Sequence, residues 1–210
     1  MAERVDKPSP PRQKRRQQHR SPRLCLVICN IQKISNVKAM VMAAVAFGCS
    51  EVLVVGQERN SQRKDMFPAP FREAVQKDEI RLHRFAKWRD CVAYMDEQSI
   101  FLIGVEIDET SRLLNDDYFE RYFPAAAYAN DGVGGDETTK SNGEDSRIGI
   151  LLGNEGQGIQ PVHQKRCNGL VRIPQYGAGT ASMNVNVATN IVLYRFQNWK
   201  RRMMRRNRTE

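Results

Sequence analysis

RIPQYGAGTASMNVNVATNIVLY (172–194) begins inside a short apolar run, LVRIP (170–174), crosses a stretch of glycine and small polar residues, and ends in the pattern of a long helix from about Met183. A strand, a small-residue turn and a helix in that order put the turn at the carboxyl end of a parallel strand, where open α/β sheets bind ligands. Two other stretches repeat the arrangement: NIQKISN (30–36) after LCLVICN (24–30), and GNEGQG (153–158) after RIGILLG (147–153). Gly153, Gly156 and Gly158 permit positive φ and a close approach of backbone to a flat ligand. Taken singly, each loop has a plain structural reading as well. GNEGQG also fits an ordinary strand-to-helix turn, Glu155 also fits a favourable charge near a helix N-terminus, and Ser182 or Asn184 also fits a helix cap. Neither a Walker A loop nor a GxGxxG fingerprint is present.

Outward from these loops the chain alternates between strand and helix. LCLVICN, EVLVVG (51–56), IFLIGVEI (100–107) and RIGILLG are continuous apolar runs of the kind a parallel sheet buries on both faces; IRLHRF (80–85) is a weaker strand. Helices are predicted from about Asn36 to Phe47, capped by Ser35 or Asn36 and closed by Gly48, and around 71–77, 86–98, 116–122 and 158–167. Six strands alternating with helices predict an α/β fold, a mostly parallel sheet flanked by helices. Residues 1–23, with four prolines and almost no large apolar side chain, are expected to be a disordered basic tail; 24–199 form the folded domain and 200–210 a basic C-terminal tail. The acidic, glycine-rich DGVGGDETTKSNGED, within an insertion at about 124–147, is expected to be a mobile surface loop.

A chain of 210 residues, 40% hydrophobic and 27% charged, suffices for one domain. No apolar run reaches the ~18 residues of a membrane span and no secretory leader is visible, so a soluble intracellular protein is expected, with nucleus, cytoplasm and mitochondrion left open. Lys14-Arg15-Arg16 is a weak import signal, and Glu3 and Asp6 sit poorly in a mitochondrial presequence. Five cysteines without a CxxC pair, and three scattered histidines, give no metal-site pattern. Cys25 and Cys29 share one strand face and read as small core hydrophobes. The net charge of +9 is carried by the ends: +6 in residues 1–23 and +6 in 195–210, leaving −3 for 24–194. Basic ends of this kind attract phosphate backbones, although solvated tails explain them too.

NIQKISNV…AAVAFG (30–48), LLGNEGQGI (151–159) and RIPQYGAGTASMNVNVATNIVLY (172–194) together resemble, in order and in internal spacing, the three signature motifs of the SpoU (TrmH-type) branch of SPOUT methyltransferases. IGVEI (103–107) resembles the strand preceding the second motif. The likeness covers roughly 24–108 and 147–198. It implies a C-terminal trefoil knot, an exception to the usual absence of knots, and S-adenosylmethionine bound in the knot mostly by backbone groups. It further implies RNA (tRNA or rRNA) as substrate, a ribose 2′-hydroxyl as methyl acceptor, and a homodimer or a heterodimer with another SPOUT protein. By the same likeness, cofactor contacts fall on Gly104, Val105, Gly153, Asn154, Gly156, Ile173, Gln175 and Met183, and the reacting centre on Asn36, Glu155, Ser182 and Asn184.

One departure bears on turnover. Six residues after Asn36 the family carries an arginine, and here Met42 stands, with neither charge nor a strong acceptor; the family's glycine is Lys38. Lys38 lies one turn before Met42 on the same predicted helix face, which makes it the candidate substitute, with a solvated lysine as the competing reading. Two functions are therefore carried forward: an active RNA 2′-O-methyltransferase, and an inactive SPOUT paralogue serving as an RNA-binding or ribosome-assembly factor beside an active partner. Val187, Ile191, Tyr194 and Phe196 on the last helix are candidate interface residues that core packing explains equally well.

Overall fold

The structure, a computed structural model, describes residues 21–56, 66–123, 146–154, 156–177 and 182–209, with backbone only for 207–209. The expectations for the tail 1–20, the insertion 124–145 and Glu155 lie outside the described residues.

Among the described residues seven strands form one sheet: β1 (Arg23–Cys29), β2 (Glu51–Val55), β3 (Arg81–Phe85), β4 (Ile100–Val105), β5 (Arg112–Leu113), β6 (Arg147–Leu152) and β7 (Gly169–Arg172). Their order is β3-β2-β1-β6-β4-β7-β5, and every neighbouring pair is parallel. The sheet is thus wholly parallel, with one strand more than the six predicted. The extra strand, β5, is two exposed residues on the sheet edge, too short to leave a periodic signal.

Alternation along the central strand sorts the core. Leu24, Leu26 and Ile28 face one layer, which holds α1 (Ile34–Ala46), α2 (Ala69–Gln76), α4 (Tyr118–Tyr122) and α6 (Val185–Thr209). Cys25, Val27 and Cys29 face the other, packed by Cys91 and Met95 of α3 (Trp88–Glu97). Burial pushes the thiols of Cys25 and Cys29 up to about 12, so both stay neutral, as core hydrophobes should.

Helix boundaries differ from expectation at identifiable places. α1 starts at Ile34 with Lys33 as N-cap and no side-chain cap. Neither Ser35 nor Asn36 caps it, and Asn36 is turned into the protein. Its end is as predicted: Gly48 takes φ +61, and the N–H groups of Gly48 and Cys49 return to the carbonyls of Val45 and Ala44. Of the helix expected at 158–167, only the single turn α5 (Pro161–Gln164) forms. α6 starts at Val185 rather than Met183 and continues through the supposed tail to Thr209. Val192, Phe196, Trp199 and Met203 recur at helical spacing and are all buried, so the folded unit extends past residue 199. Phe196 is core, while Val187 and Tyr194 remain exposed. Residues 108–123 complete this packing: Phe119 stacks edge-on to Phe196 at 5.3 Å, and Trp199 Nε1 donates to Glu120 Oε2 at 3.0 Å.

Candidate cofactor and RNA-modification site

Three adjacent strands, β6, β4 and β7, end side by side, and their carboxyl-end loops define the site. The loop after β6 folds back on itself through two hydrogen bonds, Asn154 N–H to Gly158 O and Gly158 N–H to Asn154 O, each 2.9 Å. Gly158 takes φ +64 to make the turn. Gly153 is required for a different reason: a Cβ there would lie 2.5 Å from the Gly158 carbonyl carbon. Backbone meets backbone, with no room for a side chain.

Two side chains tie this loop to its neighbours. Asn154 accepts from Gly156 N–H at 2.9 Å through Oδ1, and its Nδ2 donates to the Asn30 carbonyl at 2.6 Å, joining the loops after β6 and β1. Glu106, just past β4, accepts from Ile107 N–H at 2.9 Å and from Ile159 N–H at 2.6 Å, clamping the far end of the loop to β4. The third loop leads from β7 into α6. There Asn184 Oδ1 accepts from Asn186 N–H at 2.8 Å, capping α6, while its Nδ2 donates to Asn36 Oδ1 at 3.4 Å. One residue therefore holds the capping role and also reaches the buried asparagine of α1.

Between the loops lies a cavity of about 380 Å³, within the range of small-molecule sites. Val105, Gly153, Asn154, Gly156, Ile173, Gln175 and Met183 line it, with Ser182 at the same wall. Of the sequence-derived contacts, Gly104 stands one residue back along β4, where a Cβ would meet Leu170, Cys167 and Ile159 at 2.8–2.9 Å. Asn36 and Asn184 meet each other beside the cavity rather than on its lining. Lys38 and Met42 are both half-buried on α1. Sequence reading passed over Glu106, Ile107, Leu152, Arg172, Val185 and Ala188 as lining residues. Glu106 and Ile107 were inside a quoted motif, and the signal available was an acid at the very end of a buried strand.

The lining is chemically plain. Leu152, Ile173, Met183, Val185 and Ala188 supply apolar wall, and among the described residues Glu106 and Arg172 are its charged groups. Beneath it, His163 of α5 packs on Trp88 with ring centroids 4.4 Å apart and places its ring nitrogens 3.8–3.9 Å from Cys29 Sγ. Burial lowers the His163 pKa, and burial raises that of Cys29, so this pair is neutral packing and not a nucleophile–base pair. Among the described residues no cluster of His, Cys, Asp or Glu would hold a metal ion, and no helix is long and apolar enough to cross a membrane.

A family model, the SpoU rRNA Methylase family, matches residues 23–194. A 23S rRNA (guanosine-2′-O-)-methyltransferase RlmB of Xanthomonas campestris pv. campestris is 43% identical over 47 residues, covering 22% of this chain and 18% of the relative. An uncharacterized tRNA/rRNA methyltransferase of Borreliella burgdorferi is 34% identical over 62 residues, 30% of this chain and 27% of the relative. These matches span about a fifth to a quarter of the relatives' own length. Among solved structures, the A. aeolicus TrmH/SpoU tRNA modifying enzyme superposes with a TM-score of 0.61 at 17% identity, over 88% of this chain and 78% of that one. The AviRb methyltransferase of Streptomyces viridochromogenes in complex with AdoMet gives 0.56 at 17% identity, over 85% and 58%. Both share the fold.

Proposed function

Because the chain belongs to the SpoU rRNA Methylase family, we propose that it is an S-adenosylmethionine-dependent RNA 2′-O-ribose methyltransferase acting on tRNA or rRNA, as a homodimer or beside a second SPOUT chain. The observation that carries this reading is the meeting of the loops after β6 and β7 with the end of β4 around one cavity, seven of whose lining residues are those the family likeness points to for the cofactor. The residues fit the group. Gly153, Gly156 and Gly158 leave backbone rather than side chains on one part of the wall, and the Leu152, Ile173, Met183 and Val185 side chains offer apolar cover to a nucleoside. Bound there, S-adenosylmethionine would supply an electrophilic methyl group on a sulfonium.

In this reading the chain's own work is positioning. Val105, Gly153, Asn154, Gly156, Ile173, Gln175 and Met183 hold the cofactor, with Gly104 keeping β4 close to β7 behind them. Ser182, which lines the same cavity, serves the acceptor hydroxyl in this reading, and Asn184, which caps α6 and bonds Asn36, serves with Asn36 beside it. Glu155 and Lys38 complete the centre, Lys38 standing in for the arginine that Met42 replaces. The C-terminal trefoil knot that the family likeness implies belongs to this reading.

Calorimetry with S-adenosylmethionine and S-adenosylhomocysteine, followed by labelled methyl transfer to RNA and nuclease mapping, tests the reading. Binding of both and an alkali-resistant 2′-O-methyl linkage are expected. Binding without transfer selects the inactive paralogue, and absence of binding refutes the cofactor site. Lys38→Ala and Met42→Arg examine the substitute directly. If the first has no effect and the second raises the rate, Lys38 plays no part.

A further inference from the structure

The two charged residues of the cavity wall, Glu106 and Arg172, stand side by side on neighbouring strands. β4 and β7 pair in parallel up to Val105 and Val171, and Glu106 N–H donates to the Val171 carbonyl at 3.0 Å. In a parallel ladder that bond sets Glu106 level with the next residue, Arg172, across a strand spacing of about 4.8 Å. Opposite charges so placed ordinarily close on one another. Here no ion pair joins them.

The hydrogen bonds of Glu106 give the reason. Its Oε1 accepts from Ile107 N–H at 2.9 Å and its Oε2 from Ile159 N–H at 2.6 Å. Gly158 packs so closely on the same carboxylate that a Cβ there would collide with Oε2. The carboxylate is thus held by the loop after β6 instead of by Arg172. That clamp uses two of the roughly four acceptor positions of a carboxylate and leaves its charge uncancelled. Nor does it explain Arg172, which is exposed and has no acidic partner among the described residues. One acid and one base are held level on the same wall, each with its charge left for a ligand.

We propose that Glu106 and Arg172 bracket a zwitterionic α-amino acid group, its ammonium against Glu106 and its carboxylate against Arg172. The inference rests on the S-adenosylmethionine reading above and deepens it, because the methionine end of that cofactor is such a group. It carries one charge of each sign on a single carbon, which matches two opposite charges on adjacent strands. An RNA phosphate fits this wall less well, since Glu106 repels what Arg172 attracts. The bracket fixes which way the ligand lies: its amino-acid end at β4 and β7, its nucleoside on the glycine and apolar wall.

The test is calorimetry on the full chain with S-adenosylhomocysteine, which has the amino-acid group, and 5′-methylthioadenosine, which keeps the nucleoside and lacks that group. In Arg172→Ala, affinity for S-adenosylhomocysteine should fall about ten-fold at low ionic strength, and the difference from the parent should shrink as salt rises. Affinity for 5′-methylthioadenosine should not change. Glu106→Gln also loosens the loop clamp, so it should weaken both ligands, S-adenosylhomocysteine by the larger factor. If each variant affects the two ligands equally, or affects neither, the bracket is overturned while the cofactor site stands. A parent chain that binds neither ligand overturns the methyltransferase reading as well.

Discussion

At the carboxyl ends of β4, β6 and β7 the sheet opens into a cavity, whereas at the amino ends of β2 and β6 it closes on charge. On the closed edge Glu51 is fully buried; Tyr94 Oη donates to its Oε2 at 2.7 Å, and Arg147 Nη1 stands 3.2 Å from its Oε1. That contact is ionic and not an aligned hydrogen bond, because Glu51 Oε1 accepts none, while Arg147 Nη1 donates to Gln98 Oε1 at 2.6 Å. On the open edge the ties run from neutral amides and one carboxylate to backbone N–H and C=O groups, through Asn154, Glu106 and Asn184. Charge and a phenol hydroxyl close the amino edge from within. Backbone-directed hydrogen bonds fix loops while leaving space between them.

The comparison breaks first at Glu51. Glu51→Ala leaves Arg147, whose side chain is only 11% exposed, without its counter-charge, and removal of one partner of a buried pair costs about 3–5 kcal/mol. Urea unfolding should show a loss of that size, while the folded fraction binds S-adenosylmethionine as before. A loss under about 1 kcal/mol would mean that the closed edge is not held by charge.

At the open edge the largest effect belongs to Gly153→Ala. The added Cβ meets the Gly158 carbonyl carbon at 2.5 Å, and neither backbone can yield without parting the loop. Overpacking of this kind costs about 1–3 kcal/mol. Here the cost should fall on the site as well: cofactor affinity is expected to drop by more than about ten-fold, about 1.4 kcal/mol, as calorimetry would report. Stability loss with full cofactor affinity would place the ligand elsewhere.

These edges were unequally legible in the sequence. β1, β2, β4 and β6 announce themselves as apolar runs because both faces of each are covered. The three loops were legible because glycine and small polar residues follow β1, β6 and β7. β5 was not, since two exposed edge residues carry no period. The helical state of 200–209 was hidden by its charge: seven cations in 195–210 read as a tail, and only the spacing of Trp199 and Met203 betrays a buried stripe. Glu106 and Glu51 were hidden for a different reason. Each acquires its role from partners 53 and 43 residues away in the chain, Ile159 and Tyr94 respectively. No local pattern encodes such pairings.

Asn184 sharpens the comparison, because its two hydrogen bonds can be separated. Asn184→Ala loses the α6 cap and should cost about 1 kcal/mol. Asn184→Asp retains the acceptor for Asn186 N–H but loses the donor to Asn36. The aspartate variant should unfold within about 0.5 kcal/mol of the parent. Its methyl transfer is nevertheless expected to slow, through kcat rather than KM, if the Asn36 contact orders the reacting centre. An aspartate variant that matches the parent in methyl transfer as well as in stability would reduce Asn184 to a cap.

The smallest effect compares one histidine on each edge. His83 and His163 both have pKa values lowered by burial, but their surroundings differ. Glu51, 3.5 Å from His83 Nε2, pulls the His83 pKa back up, while Arg81 and Arg147 push it down. His163 touches the Cys29 thiol and the Trp88 ring, neither of which is charged. For both, the folded pKa lies below the ordinary histidine value, so the unfolded chain takes up protons first as pH falls. Their contribution to stability is complete above about 6.5 and is lost as pH drops toward the folded values. Unfolding midpoints should therefore decline between neutral pH and the onset of carboxylate titration. His163→Gln should flatten that decline more than His83→Gln, because protonated His83 gains an ion pair with Glu51 and protonated His163 gains none from the groups it touches. A steeper contribution from His83 would mean that Arg81 and Arg147 outweigh Glu51, and that the closed edge is tuned by its cations.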